Sequence, residues 1–271
     1  MWSTQGQKDM VHIFLTSSPT GPLDGSRRVD GIDKWNGFAD RLHEVWKADS
    51  RCLMIAAAPD NYAMMDEMTG FFWHTWLRDE FSMQCMDKLD YRYHGSGWDS
   101  VHGHISREDL HSYDVLFLAG GHVPTQRHFF ETIGMREKLQ GFRGIIIGIS
   151  AGSMNSADMV YIQPEEPGEA VDKCFCRWGR GLGLTKRNIL PHYQMVKDNY
   201  LDGMRLYEDI TMPDSYGHEF VVLCDGSYLR LEAEWAGAPP ISEEVYGEAY
   251  LIRDGNVSEL CRHEKMCVLK G

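Results

Sequence analysis

A serine between two glycines follows an apolar run in the middle of the chain. Residues 148–152 read G-I-S-A-G, and residues 145–149 read I-I-I-G-I. A G-x-S-x-G sequence after a buried strand is typical of a sharp strand-to-helix turn. Its glycines let backbone segments approach closely, and its serine is presented in a strained, exposed position. We therefore predict that Ser150 is a nucleophile, the alternative being an ordinary turn flanked by glycines.

A serine nucleophile needs a base, and usually a carboxylate that orients the base. Among twelve histidines, His192 stands out because it follows a short apolar run and a proline, away from any helix face. Asp225 follows the apolar run at 220–224 and precedes a glycine, which places it at a strand end. Position alone is equally compatible with His192 being a surface loop histidine.

Attack on a carbonyl group creates an oxyanion, which oriented backbone N–H groups stabilise well. Ala151, the residue after the serine, supplies one such group. Gly120 and Gly121 end another apolar run at 115–119 and can supply a second, since glycine lets the main chain approach a substrate. A simple glycine turn is the competing interpretation of this pair.

These residues need a scaffold, and the sequence predicts an α/β fold. Short apolar runs alternate with helical periodicity, which is typical of a mostly parallel central sheet with helices on both faces. The predicted parallel strands are 11–15, 52–57, 115–119 and 145–149. The helical faces are Trp35, Phe38, Leu42 and Val45, and then Met64, Met65, Met68, Phe72 and Trp76. Antiparallel strands are predicted near the C-terminus at 220–223, 227–231 and 249–253. Ligands bind at the carboxyl ends of strands in such sheets, where Gly120 and Ser150 lie.

Four motifs in chain order resemble those of the aspartyl dipeptidase (peptidase E) and cyanophycinase family, whose fold is similar to class I glutamine amidotransferases. The motifs are L-A-G-G at 118–121, G-I-S-A-G-S at 148–153, P-H-Y at 191–193 and L-C-D-G-S at 223–227. The resemblance implies a serine peptidase with Ser150 as nucleophile, His192 as base and Asp225 as orienting acid. It also implies Gly121 and Ala151 as oxyanion donors.

The sequence departs from this family in two places. The third triad position is commonly glutamate in the dipeptidase branch, so Asp225 is shorter there, and a carboxylate in the segment 163–166 competes for its role. His122 stands where the family often has a small polar residue, which bears on a substrate pocket formed with Gly120.

Substrate preference is the least constrained expectation. The dipeptidase branch recognises an acidic residue, and Arg205 falls near the position of its substrate-binding arginine. We therefore expect an exopeptidase that acts on short peptides, with acidic N-terminal residues as first candidates. The alternative is that Arg205 is an exposed helix residue paired with Asp202.

Composition narrows the remaining classes. The 271 residues suffice for one domain, 1–271, without a linker or repeat, and 27 basic against 40 acidic residues give a net charge of −13. That charge argues against nucleic-acid binding. We expect a cytoplasmic protein, because the N-terminus has no secretory pattern, no window is apolar enough for a membrane span, and seven cysteines lack CxxC spacing. The oligomeric state is open, with a homodimer as one candidate.

Two other interpretations of the function remain, and a metal site is a weaker third. An α/β-hydrolase-type esterase would use the order Ser150, Asp225, His263. A catalytically silent relative would keep the fold and bind a small ligand. A metal site at His102 and His104, or at Cys174 and Cys176, lacks a third ligand nearby, so we expect neither a metal nor a cofactor.

Overall fold

The computed structural model describes residues 10–27, 29–79, 81–93 and 105–269. The helices are α1 (Phe38–Val45), α2 (Tyr62–Arg78), α3 (Arg107–His111), α4 (Val123–Thr132), α5 (Met135–Leu139), α6 (Ala151–Met154), α7 (Tyr193–Val196) and α8 (Met212–Asp214). A 3₁₀ turn (Trp35–Gly37) precedes α1, and a π-helix (Leu206–Thr211) precedes α8. The first strands are β1 (Val11–Thr16), β2 (Ser50–Ile55), β3 (Met83–Leu89), β4 (Val115–Leu118), β5 (Gly144–Ile149), β6 (Met159–Tyr161), β7 (Trp178–Arg180) and β8 (Asn188–Leu190). The remaining strands are β9 (Tyr200–Leu201), β10 (Met204–Arg205), β11 (Glu219–Leu223), β12 (Tyr228–Ala233), β13 (Ser242–Tyr246), β14 (Ala249–Arg253), β15 (Asn256–Cys261) and β16 (Met266–Val268).

The main sheet has eight strands in the order β16-β13-β12-β1-β5-β4-β2-β3. Five neighbouring strands run parallel in this sheet, namely β1, β5, β4, β2 and β3. On the other side of β1, the sheet continues with antiparallel pairing through β12, β13 and β16. The predicted α/β class, with a mostly parallel central sheet flanked by helices, is confirmed. Strand β3 was not predicted, because its polar, half-buried sequence M-Q-C-M-D-K-L has no apolar run.

Continuous apolar runs produce the central strands because those strands are covered on both faces. The side chains of β4 are all buried, as are five of the six in β5. The predicted face of α1 is confirmed at Phe38 and Leu42, both of which are buried. Trp35 is a correction: it lies before the helix and is 44% exposed, since Asn36 has a positive φ of 57° that breaks the helical run.

A second sheet has the order β15-β14-β11-β8. Strand β11 pairs antiparallel with β14 and parallel with β8. The predicted antiparallel strands are confirmed, but they belong to two sheets, because the chain leaves the second sheet after β11 and enters the main sheet at β12. Strand β8 is three residues long, too short for periodicity to reveal. Within the described residues, no helix combines the length and apolar character needed to span a membrane.

We predict that Gly152→Ala destabilises the fold, because a Cβ at this position would lie 2.2 Å from the carbonyl oxygen of Leu118 in β4. Overpacking of this kind costs about 1–3 kcal/mol in the free energy of unfolding. Urea denaturation measures the loss. The matched control is Gly70→Ala in α2, where an added Cβ meets nothing within 4 Å and should stabilise the helix by about 0.5–1 kcal/mol. Equal stabilities of the two variants would contradict this account of the turn.

Candidate active site

The site forms where the carboxyl ends of three adjacent parallel strands meet. Ser17 follows β1, Ser150 follows β5 and the Gly120-Gly121 pair follows β4. A Cβ built on Gly120 would lie 3.5 Å from the Cβ of Ser150, so the glycine loop lies against the serine. The arrangement follows from parallel pairing, which aligns the ends of neighbouring strands at one edge.

Ser150 occupies a strained backbone conformation, with φ 49° and ψ −110°. Non-glycine residues rarely adopt such values, and they persist only where the surrounding structure enforces them. The Ser150 N–H donates to the carbonyl of Thr16 at 3.1 Å, and Ser153 N–H donates to the Ser150 carbonyl at 2.9 Å. The close approach of Gly152 to β4 completes the sharp turn from β5 into α6 that the sequence predicts.

His192 follows β8 and Pro191, and it also has a positive φ, 59°. Its Nε2 lies 2.9 Å from Ser150 Oγ, and its Nδ1 lies 2.6 Å from Asp225 Oδ1. An ionised carboxylate only accepts hydrogen bonds, so Nδ1 carries the proton and Nε2 is left to accept the hydroxyl proton of Ser150. The side chains of Ser150, His192 and Asp225 are therefore brought together in the order that a base-activated serine requires.

Asp225 follows β11, whose parallel neighbour in the second sheet is β8, so the acid and the base come from adjacent strand ends. Its side chain is fully buried. Besides His192 Nδ1, its oxygens accept hydrogen bonds from Ser17 Oγ at 2.7 Å, Gln194 Nε2 at 2.7 Å and Leu23 N at 3.1 Å. Burial raises the pKa of Asp225, but hydrogen bonds from His192 and Ser17 outweigh it, and the net pKa is lowered.

Two residues of this network, Ser17 and Gln194, were not predicted. Ser17 donates its hydroxyl to Asp225 and accepts the His192 N–H at 2.8 Å. Gln194 also accepts the Asp225 N–H at 3.0 Å through Oε1, so its amide engages both the side chain and the main chain of Asp225. The position of Ser17 at a strand end was a usable signal, whereas nothing in the sequence distinguishes Gln194.

The predicted oxyanion donors are Ala151, which follows Ser150 directly, and Gly121, which belongs to the glycine loop whose Gly120 lies against Ser150. Ala151 is the first residue of α6, where an N–H has no partner within the helix. Gly121 has a φ of 154°, and a Cβ there would lie 2.7 Å from the Cβ of Ala57, so the loop leaves no room for a side chain. The role of these two N–H groups as oxyanion donors stays a prediction.

His122 directly precedes α4, and its side chain contacts the acidic loop that contains Glu169. Its Nδ1 contacts Thr125 Oγ1 at 2.8 Å, and its Nε2 contacts Glu169 Oε1 at 2.9 Å. The side chains of His122, Glu166 and Glu169 could hold a metal ion, since their ligand atoms lie within 4.8 Å of one another. Glu169 is already satisfied without one, because its Oε2 accepts the N–H groups of Glu165 and Glu166.

A cleft of about 250 Å³ opens beside the serine and the histidine. Its lining includes Ser150, His192 and Glu165, together with Gln163 and apolar side chains such as Leu206. Glu165 is exposed as a residue, but protein atoms surround its carboxyl group. This burial, with the charges of Glu169 and Glu166, outweighs a hydrogen bond from the Val123 N–H and raises the pKa of Glu165 to about 8.

A carboxylate in the segment 163–166, which contains Glu165, was predicted as a competitor for the third triad position. The structure instead places Asp225 on His192 Nδ1 and Glu165 in the cleft.

Arg205 does not line this cleft. It ends the two-residue strand β10, which pairs with β9, and its exposed guanidinium is held by Asp209 with contacts of 2.6 and 3.0 Å. The alternative expectation, a helix residue paired with Asp202, is wrong, because Arg205 lies in a strand and its partner is Asp209. Asp202 accepts the N–H groups of Gly168 and Ala170.

The other candidates lie elsewhere. The ring of His263 packs against Trp35 at 3.9 Å between centroids, so His192 and not His263 contacts Ser150. Cys174 and Cys176 are exposed free thiols. His102 and His104 lie outside the described residues.

We predict that Glu165→Gln stabilises the protein increasingly as the pH rises from about 4.5 to about 8. The folded-state pKa is raised from 4.5 to about 8, so the folded protein retains a proton that the unfolded chain releases, and rising pH removes stability. Glutamine cannot ionise and escapes this loss. Melting temperatures at pH 4.5 and 8.5 measure it, with the exposed Glu234→Gln as control. A difference from wild type that does not grow with pH would contradict the raised pKa.

No protein-family model matches the chain, and no curated protein matches it. A solved peptidase from an acI-B1 Actinobacterium is similar in structure, with a TM-score of 0.57 and 14% identity, over 97% of this chain and 99% of that chain. A protein from Listeria monocytogenes EGD-e, provisionally named peptidase E, has 16% identity over 92% and 98% of the two chains, with a TM-score of 0.49. At such identity the first likeness establishes the fold alone. The chain thus shares the fold of a peptidase, as the motif resemblance predicted.

Proposed function

We propose that this protein is a serine hydrolase that cleaves amide bonds of short peptides through an acyl-enzyme. The observation that carries the proposal is the continuous chain of hydrogen bonds from Ser150 Oγ through His192 to Asp225, at 2.9 and 2.6 Å. The strained backbone at Ser150 and at His192 supports it, because such strain clusters at functional sites. The peptidase that shares this fold adds support for peptide substrates.

In the first half of the reaction, Ser150 Oγ attacks the carbonyl carbon while its proton passes to His192 Nε2. The N–H groups of Gly121 and Ala151 stabilise the oxyanion of the tetrahedral intermediate. Asp225 stabilises the imidazolium that forms on His192 and stays ionised itself, in keeping with its lowered pKa. The imidazolium then gives its proton to the leaving amine, the C–N bond breaks, and an acyl-Ser150 ester remains.

In the second half, water attacks the ester carbonyl and loses a proton to His192 Nε2. Collapse of the second tetrahedral intermediate returns that proton to Ser150 and releases the carboxylic acid. The cleft of about 250 Å³ is small for a ligand pocket, which favours short peptides over folded proteins. An acidic preference has less support, because the guanidinium of Arg205 is engaged by Asp209.

We predict that Ser150→Ala and His192→Ala each lower kcat/KM by about 10⁴-fold or more, and that Asp225→Asn is also severely damaging. The effects should not add, because the three side chains act as a unit. A panel of dipeptides and amino acid p-nitroanilides, with p-nitrophenyl esters alongside, measures the loss. His263→Ala is the matched control and should keep wild-type activity, since that ring packs on Trp35.

Residual activity within tenfold of wild type in Ser150→Ala would refute the nucleophile. Hydrolysis of esters without any amide cleavage would favour an esterase. A silent binding protein would hydrolyse neither class of substrate.

A further inference from the structure

The charge of the cleft points to a substrate group that the proposed function leaves open. Resting on that function, we infer that Glu165 is the specificity-determining residue of the cleft and binds a cationic nitrogen of the substrate. That nitrogen belongs either to the N-terminal ammonium group or to a basic side chain. Both present N–H donors and a positive charge to one carboxylate.

Position is the first argument. Glu165 shares the walls of the cleft with Ser150 and His192, so a ligand held by the carboxylate lies beside the nucleophile. The described lining residues include no lysine or arginine, and Glu165 is their one carboxylate. A cationic substrate group would therefore meet a carboxyl group that can pair with it, whereas an acidic group would meet no lysine or arginine.

The state of the carboxylate is the second argument. Within the described part of the chain, no ion pair includes Glu165, while the neighbouring Glu169 is engaged by His122. Glu169 and Glu166 add further negative charge close to the Glu165 carboxyl group. A cationic group of the substrate would balance this charge and pair with Glu165.

The same reasoning separates this pocket from an acidic one. The cation expected to bind an acidic side chain, Arg205, lies outside the cleft lining and is held by Asp209 through two side-chain contacts. The net charge of −13 attracts cations and repels acidic peptides at long range. Position, local charge and overall charge therefore favour the same class of substrate.

The kinetic test compares Leu-, Lys- and Asp-p-nitroanilide, each with a free and an acetylated N-terminus. If the N-terminal ammonium is the ligand, free Leu-p-nitroanilide is cleaved about tenfold or more faster than its acetylated form. If a basic side chain is the ligand, the Lys substrates are preferred by a similar factor, acetylated or not. In either case Glu165→Gln raises KM and removes the preference, while Glu234→Gln, an exposed carboxyl outside the cleft lining, keeps it.

A binding test runs on Ser150→Ala, which has no nucleophile. Calorimetry is carried out with Leu-Leu and Lys-Leu, each with a free and an acetylated N-terminus. If the N-terminal ammonium is the ligand, the free peptides should bind more tightly than the acetylated ones. If a basic side chain is the ligand, Lys-Leu should bind more tightly than Leu-Leu in both forms. Adding Glu165→Gln should abolish the difference.

The two tests separate the possible failures. If the wild type hydrolyses substrates but Glu165→Gln keeps an unchanged preference, the assignment of Glu165 is wrong and the serine mechanism stands. If no hydrolysis occurs but Ser150→Ala discriminates the cation through Glu165, the proposed function fails and the cation pocket stands. Preference for the Asp substrate, or binding that does not depend on Glu165, overturns the inference.

Discussion

The candidate site depends on one buried carboxylate and the donors that satisfy it. An ionised aspartate without exposed surface is stable only when hydrogen bonds replace its lost hydration, and Asp225 has them from His192, Ser17, Gln194 and Leu23. These donors come from the loop after β1 and from the residues after β8, so the carboxylate joins the main sheet to the second sheet. Removing one donor would leave the charge of Asp225 without full compensation, and Asp225 would then hold His192 less firmly.

The topology explains why these groups meet. The chain leaves the second sheet at β11 and enters the main sheet at β12, and Asp225 lies in the short link between them. Strand β12 pairs with β1, which pairs with β5, so the link lies two strands from the serine. The positive φ values at Ser150 and His192 are the local cost of aiming both side chains at one point.

Much of this was predictable from the sequence because it depends on local pattern. Continuous apolar runs specify β4 and β5, and the glycines of 148–152 specify the turn at Ser150. The second sheet was harder to predict, since β8 is three residues long and its pairing with β11 spans about thirty residues. The roles of Ser17 and Gln194 depend on three-dimensional proximity that no periodicity records. Glu165 and Arg205 show the same limit, because their chemistry depends on which neighbours fold beside them.

The most direct test of the account is the mass of the intact protein and of its peptides after reaction with a fluorophosphonate. An activated serine displaces fluoride from phosphorus and keeps a covalent phosphonyl group. The account predicts one adduct, located on Ser150, which forms with the wild type and fails to form after His192→Ala. No adduct on the wild type, or one on another residue, would contradict the claim that Ser150 is a nucleophile activated by His192.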